Sequence, residues 1–366
     1  MDKIRVGMIR CDVHASWYAL LFAPANEKLL LSRWPQNHYY FYYRYNLKFG
    51  LLPGFELTKV WDKFPHHQGL THAKSEPLGN AEIFAEVFMN RPTICETLEE
   101  VSDDVDLVFI ANCMEDGRDH LELAAPGLKK GVPTFVDKPF AYTLADARAM
   151  IELAKAHDTA VMSASLLRMN PLAEQFKNRF AEIGPVGEGF VKGVGSSGLG
   201  ATIHGLSLAQ HVFGEGVEWV DAMGKIPLEI VRLHYPSPKL DTSESVGAML
   251  AWNRGPSGRT ERLSGVDVVV LSSFLLGPNC GYQAIAYSKS GSALSPWIDD
   301  YVFPLGGRVI LDKCLEMVRT RKPPLPYKSL LELMEIVEAG RLSQKTGKPV
   351  SLNEVRESCS VPVLAQ

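Results

Sequence analysis

Two textures predict an α/β protein. In the first half, apolar strands without polar alternation take turns with helices, the mark of a parallel sheet covered on both faces. In the second half, strand-like runs are separated by Gly, Pro, Ser and Asn turns, which suits an antiparallel sheet with helices on one side. A length of 366 residues adds that there are two domains rather than one. The expected fold is therefore a Rossmann-like doubly wound parallel sheet followed by an α+β domain with an open-faced, mostly antiparallel sheet.

The elements follow in order. Ile4 to Ile9 reads as a buried first strand and Ala15 to Phe22 as the helix after it. Glu56 to Trp61 is a second strand ending at Asp62, Ala81 to Phe88 a helix, and Asp106 to Ala111 an apolar strand. A helix over His120 to Lys130, a strand ending at Val136, a helix over Leu144 to Ala156 and a strand at Ala160 to Ser163 complete the first half. After Asn170-Pro171 come helices at Leu172 to Phe180 and His204 to Phe213. Strands follow at Trp219 to Met223, Leu228 to Leu233, Val246 to Trp252, Val266 to Leu271 and Tyr282 to Tyr287. Helices over Val309 to Arg319 and Ser329 to Thr346, parted by Pro323-Pro324, close the chain. Trp34 to Tyr45, with Tyr39, Tyr40, Tyr42, Tyr43 and Tyr45, carries more aromatics than a solvated loop needs; it closes over a ligand, forms a subunit contact or packs as core.

Composition narrows the function classes. With 46% hydrophobic and 22% charged residues, a net charge of -4 and no basic stripe, the chain offers no electrostatic grip on nucleic acid. Six cysteines without a C-x-x-C pair read as reduced core thiols of a cytoplasmic protein. No signal core and no run of membrane-spanning length are present. His66, His67 and His72 cluster, but without an acidic ligand in helical register they read as surface histidines, so no metal site is expected.

The most informative stretch is Val136-Asp137-Lys138-Pro139-Phe140. It closes an apolar strand with an ammonium group at the rim of the sheet, where ligands of α/β folds sit, and Pro139 disfavours helix at Lys138. Lys138 so placed can donate a proton; alternatively it only pairs with Asp137 at the surface.

Taken with Asp116-Gly117-Arg118-Asp119-His120-Leu121, Ser165-Leu166-Leu167-Arg168-Met169-Asn170-Pro171 and the ending Leu325-Pro326-Tyr327 through Gly347-Lys348-Pro349-Val350, this stretch resembles the glucose-fructose oxidoreductase, inositol dehydrogenase and MocA family. There the signature is more often E-K-P, and Asp137 is a shortened acid of the same chemistry. The resemblance implies a dinucleotide-binding domain over residues 1–137. Residues 138–366 would form a substrate-binding and oligomerisation domain, whose last helices can pack back on the first. It implies an NAD cofactor, with NADP not excluded, a small carbohydrate or polyol substrate and a homo-oligomer, dimer or tetramer. Lys138 would stand beside the nicotinamide, and His204 falls where the family places its general acid or base; His204 can equally be a helix-start residue with a structural hydrogen bond. Oxidising a secondary alcohol needs a group that takes the hydroxyl proton and one that holds the developing alkoxide, which imidazole and ammonium supply. Asn112, His120 and Arg168 match positions lining the nicotinamide side, though packing or strand-end polarity also accounts for such residues; Ala111 and Asp137 are further cofactor-binding candidates.

Two departures stand out. The first turn, Gly7-Met8-Ile9-Arg10-Cys11-Asp12-Val13-His14, keeps only the first glycine of G-x-G-x-x-G. Gly7, Arg10, Cys11, Asp12, Val13 and His14 are its cofactor-facing candidates; Arg10 can donate to phosphate, while Asp12 opposes an anion. Asp62, at the end of the second strand, would bind the adenosine ribose and favour NAD, or else simply form a turn. Secondly, the family's acid four residues before the histidine is Gly200 here, with Thr202 or an acid of the second sheet as possible substitutes.

The first function expected is an NAD(P)-dependent oxidoreductase acting on a secondary hydroxyl of a sugar, cyclitol or related polyol. A variant of it retains the cofactor and uses transient oxidation for elimination, epimerisation or glycoside cleavage. The other class is a cofactor-free binding or scaffold protein that keeps only the fold.

Overall fold

The computed structural model describes residues 3–34, 43–44, 47–63, 78–112, 116–194, 199–225, 228–236, 262–273 and 281–358. The chain divides into two compact units, Met1–Leu166 with Pro304–Leu330, and Leu167–Phe303 with Leu331–Gln366.

The first unit holds strands β1 (Ile4–Ile9), β2 (Phe55–Trp61), β3 (Thr93–Ile94), β4 (Leu107–Ile110), β5 (Thr134–Val136) and β6 (Val161–Met162). They form a six-stranded sheet of order β3-β2-β1-β4-β5-β6. Every pairing in it is parallel. Every residue of β4 and β5 is buried, which is why these strands read as unbroken apolar runs. Helices α1 (Val13–Ala19), α2 (Glu27–Arg33), α3 (Asn80–Val87), α4 (His120–Lys129) and α5 (Leu144–Ala156) make the connections. Tyr18 of α1 packs on Phe109 and Phe135, with ring centroids 4.8 and 5.7 Å away.

Gly7 is needed for packing, because a Cβ there would lie 2.3 Å from the Val101 carbonyl oxygen in the short turn Glu99–Ser102. Strand order reverses direction between β1 and β4, so the carboxyl ends of β1, β2, β4 and β5 border the crevice where ligands of such sheets bind.

In the second unit, β7 (Val186–Gly193), β8 (Trp219–Lys225), β9 (Leu228–His234), β10 (Arg262–Ser273), β11 (Gly281–Ser288), β12 (Gly291–Leu294), β13 (Ile298–Asp299) and β14 (Val350–Ser351) build an eight-stranded sheet. Its path is β12-β11-β7-β10-β9-β8-β14, with β13 on β11. Only β10 with β7 runs parallel among its described pairs. Helix α6 (Pro171–Asn178), α7 (Phe180–Ile183) and α8 (Leu199–Phe213) lead into and cover this sheet. Phe213 of α8 lies over β7 at Gly189, where a Cβ would come within 2.6 Å of its ring. Of the closing helices, α9 (Phe303–Thr320) belongs to the first unit from Pro304 on, while α10 (Tyr327–Thr346) from Leu331 on and α11 (Leu352–Ser358) belong to the second.

The expected fold class is the one observed, with differences of detail. Sequence periodicity misses β7, because Gly187, Gly189 and Gly193 dilute its apolar signal. It also misses α2, which starts from Asn26 accepting Lys28 and Leu29 N–H groups. α8 and α9 begin earlier than periodicity predicts, at Leu199 and Phe303. Of the aromatic segment, Trp34 is buried against Phe84 and Phe88, and the Tyr43 hydroxyl donates to the Ala25 carbonyl at 3.1 Å, so these two are core. Tyr39, Tyr40, Tyr42, Tyr45, the His66, His67 and His72 cluster and the strand Val246 to Trp252 lie outside the described residues.

Candidate functional site

The carboxyl end of β1 sets the first turn. Arg10 has φ 71, the left-handed backbone that favours glycine, so the turn keeps a glycine's shape while carrying the longest cationic side chain. That side chain is only 1% exposed. One guanidinium nitrogen bonds Asp119, just before α4, and another lies 3.6 Å from Asp62 at the end of β2. Asp62 also accepts the Cys11 N–H at 2.9 Å and the Asn80 amide at 3.3 Å. Asn112 bonds the other oxygen of Asp119 at 3.2 Å. The Cys11 thiol beside this cluster is pushed well up by burial and by the carboxylates of Asp62 and Asp12.

Asp12 turns inward. Fully buried, it caps α1, its Oδ1 accepting the His14 N–H at 2.9 Å and the Ala15 N–H at 3.3 Å. Val13, half-buried, opens the helix between them. The His14 ring stacks on Trp17 at 5.2 Å and its Nδ1 bonds the buried Asp137 carboxylate.

The carboxyl end of β5 is built differently. The Asp137 N–H donates to the Ile110 carbonyl at 2.9 Å, extending the strand ladder to the site. Burial alone would raise the Asp137 carboxyl, but His14 and Lys138 outweigh it and hold it below the ordinary carboxylate range. Lys138 follows, half-buried, ahead of a cis peptide to Pro139. Ala111 and Asn112, both buried, end the adjacent β4. His120, the first residue of α4, is wholly buried, and burial lowers its pKa, so it is neutral. Its Nδ1 meets the Phe140 carbonyl at 3.3 Å, which ties α4 to the Lys138 loop.

In this unit the structure thus brings together Arg10, Cys11, Asp12, Val13, His14, Asp62, Ala111, Asn112, His120, Asp137 and Lys138 beyond the ends of four neighbouring strands, whereas Gly7, expected to face the cofactor, lies within β1 and packs on Val101. Asp119 and Asn80 join them without having been singled out; the signal was the need of a buried arginine for acids.

Arg168 and His204 belong to the second unit. The Arg168 guanidinium bonds Gln210 of α8, and Gln210 in turn reaches Glu332 of α10 at 3.4 Å. Glu332 accepts the Gly216 N–H at 3.0 and 2.9 Å, so Arg168 is part of a network internal to this unit. His204, half-buried on α8, meets Tyr282 edge to face at 6.0 Å. Thr202 donates to the buried Glu229 of β9, which also accepts from Gln344 at 2.7 Å.

A parallel sheet of order β3-β2-β1-β4-β5-β6 with an acid closing β2 and a lysine just beyond β5 defines the class, a dinucleotide-binding type of fold. Residues 50–165 match the GFO_IDH_MocA family model, described as an oxidoreductase family with an NAD-binding Rossmann fold. Over this segment the chain is similar to that family.

Solved structures share the fold along nearly the whole chain. A probable dehydrogenase from Thermotoga maritima is 15% identical, covering 96% of this chain and 100% of its own, with a TM-score of 0.65. A putative myo-inositol dehydrogenase from Sinorhizobium meliloti is 12% identical over 96% and 100%, with a TM-score of 0.65. An Agrobacterium radiobacter oxidoreductase, solved with NAD+, L-tartaric acid and magnesium, is 14% identical over 96% and 99%, with a TM-score of 0.63. A search of curated proteins by sequence finds no match.

The residues present suit one part of the dinucleotide and oppose another. Asp62 stands at the end of β2, where a carboxylate meets the adenosine ribose in such folds, and it accepts from Cys11 and Asn80. The diphosphate does not fit the first turn as folded, because the N–H groups that would meet it at the start of α1 are bonded to Asp12.

Proposed function

We propose that the protein interconverts a secondary hydroxyl and a ketone on a sugar, cyclitol or related polyol, with NAD as the redox partner. The observation that carries this reading is Lys138, half-buried just beyond the end of β5 and next in sequence to the buried Asp137, whose carboxylate is held by His14. NAD, when bound, takes up or returns the two electrons of the reaction. Lys138 holds the oxygen as it loses its proton, and its charge favours the alkoxide over the alcohol. For His204, in the second unit, we propose the role that the resemblance implies, that of proton acceptor, imidazole being suited to transfer near neutral pH. Asp62 favours NAD over NADP, since a second carboxylate-facing phosphate on the ribose would be repelled. The inositol dehydrogenase neighbours support a cyclitol as the first substrate to try. A homo-oligomer formed through the open face of the second sheet belongs to the same reading.

Purified protein incubated with NAD+ and a panel of inositols, aldoses and alditols is expected to form NADH with at least one of them. No reduction with any member, together with no NADH binding by calorimetry, overturns the proposal.

A further inference from the structure

The first turn departs from its family in a way that has a direct consequence for the cofactor. In a dinucleotide fold the diphosphate lies at the start of the helix after β1, where glycines let it reach backbone N–H groups. Here Asp12 supplies its own anion to those groups: the carboxylate is fully buried and accepts from both His14 and Ala15. Arg10 does not offset this, because its guanidinium is already set between Asp62 and Asp119. Two carboxylates therefore hold this one cation, and a third, that of Asp12, caps α1 at the place where a dinucleotide fold admits a dianion.

We propose that Asp12 is a tethered competitor of the cofactor: it occupies the anion position of the first turn, and a dinucleotide binds only as this side chain swings out. The competition rests on two like-charged groups needing the same donors, so it acts on the diphosphate and not on the adenosine end held by Asp62. The inference rests on the NAD reading above, and its test separates the two.

Asp12→Asn keeps an equally good helix cap while removing the charge, and Asp12→Gly removes the side chain at little cost to the cap. Both are measured against wild type for NADH by calorimetry and for adenosine by NMR titration, with thermal melting to verify folding. The expected result is NADH bound about tenfold tighter or more by both variants, a shift typical of removing one nearby like charge at the edge of a protein, with adenosine affinity unchanged. NADH bound equally or more weakly by the variants overturns the inference, as does equal tightening for adenosine. Binding by Asp12→Gly but not by wild type supports the inference and withdraws the proposed function of the native chain. Turnover by wild type with NADH affinity unmoved in the variants does the reverse.

Discussion

The carboxyl ends of β1 and β5 lie in one sheet, yet they are built in opposite ways. At β5 an acid, a lysine and a proline follow the strand, and the strand ladder runs into Asp137 through its bond to Ile110. At β1 the strand is equally well formed, pairing with β2 and β4, but the turn beyond it is filled by Arg10 and Asp12. The difference teaches that strand pairing and burial maintain the sheet regardless of what stands at its rim. Rim residues answer to the ligand instead, and each rim can change alone.

The largest way to sharpen that contrast is at β5. Lys138→Ala is expected to lower kcat by about 10²–10⁴-fold, the range of a lost proton-transfer or charge-stabilising group, with NADH affinity within about twofold of wild type. Steady-state turnover on the substrate from the polyol panel checks it; an unchanged kcat removes Lys138 from the chemistry.

At β1 the effects should appear in stability. Arg10→Met removes the cation that Asp62 and Asp119 face, and breaking a buried ion pair from one side costs about 3 kcal/mol or more. Urea unfolding at pH 7 measures this; a loss under about 1 kcal/mol would mean that the cluster relaxes without its arginine.

Gly7→Ala places a Cβ against a backbone carbonyl that cannot rotate away, at a cost of about 1–3 kcal/mol. NADH affinity per folded molecule should stay as in wild type, since this glycine serves the packing on Val101.

The smallest effect concerns pH. The native Asp137 carboxyl titrates below its ordinary value of 3.8, so it binds fewer protons folded than unfolded. Its contribution to stability is present above pH about 4 and drains as the pH falls through the native value. Asp137→Asn should thus be less stable than wild type by about 1 kcal/mol at pH 7, the difference closing toward pH 3 in urea midpoints taken across that range.

Much of this was legible in the sequence. β1, β4, β5 and α5 declare themselves because parallel strands buried on both faces must be apolar throughout, and α5 shows clean helical spacing to Ala156. β7 was not legible, because its glycines are required by partners far away in sequence: Gly189 makes room for the Phe213 ring and Gly193 for the Tyr282 ring. At the site, the opposition of Asp12 to an anion was readable from residue type alone. That its carboxylate turns inward to cap α1 was not, since an aspartate in a turn has several donors within reach. Likewise the partnership of His14 with Asp137 spans 123 positions and leaves no local pattern. Asp119 entered only with the fold, which brings the residue before α4 onto the guanidinium of Arg10.

The first compact unit includes Pro304–Leu330 as well as Met1–Leu166. Within it Gly306 of α9 lies so near the Leu166 carbonyl that a Cβ would be 2.0 Å from the oxygen, and Arg321 bonds the Gly131 and Asp158 carbonyls at 2.8 and 2.9 Å. Recombining this half with the other half of a relative therefore takes three crossovers in the gene, not one. A chimera joined only near position 166 would separate a helix from the backbone it was shaped to touch.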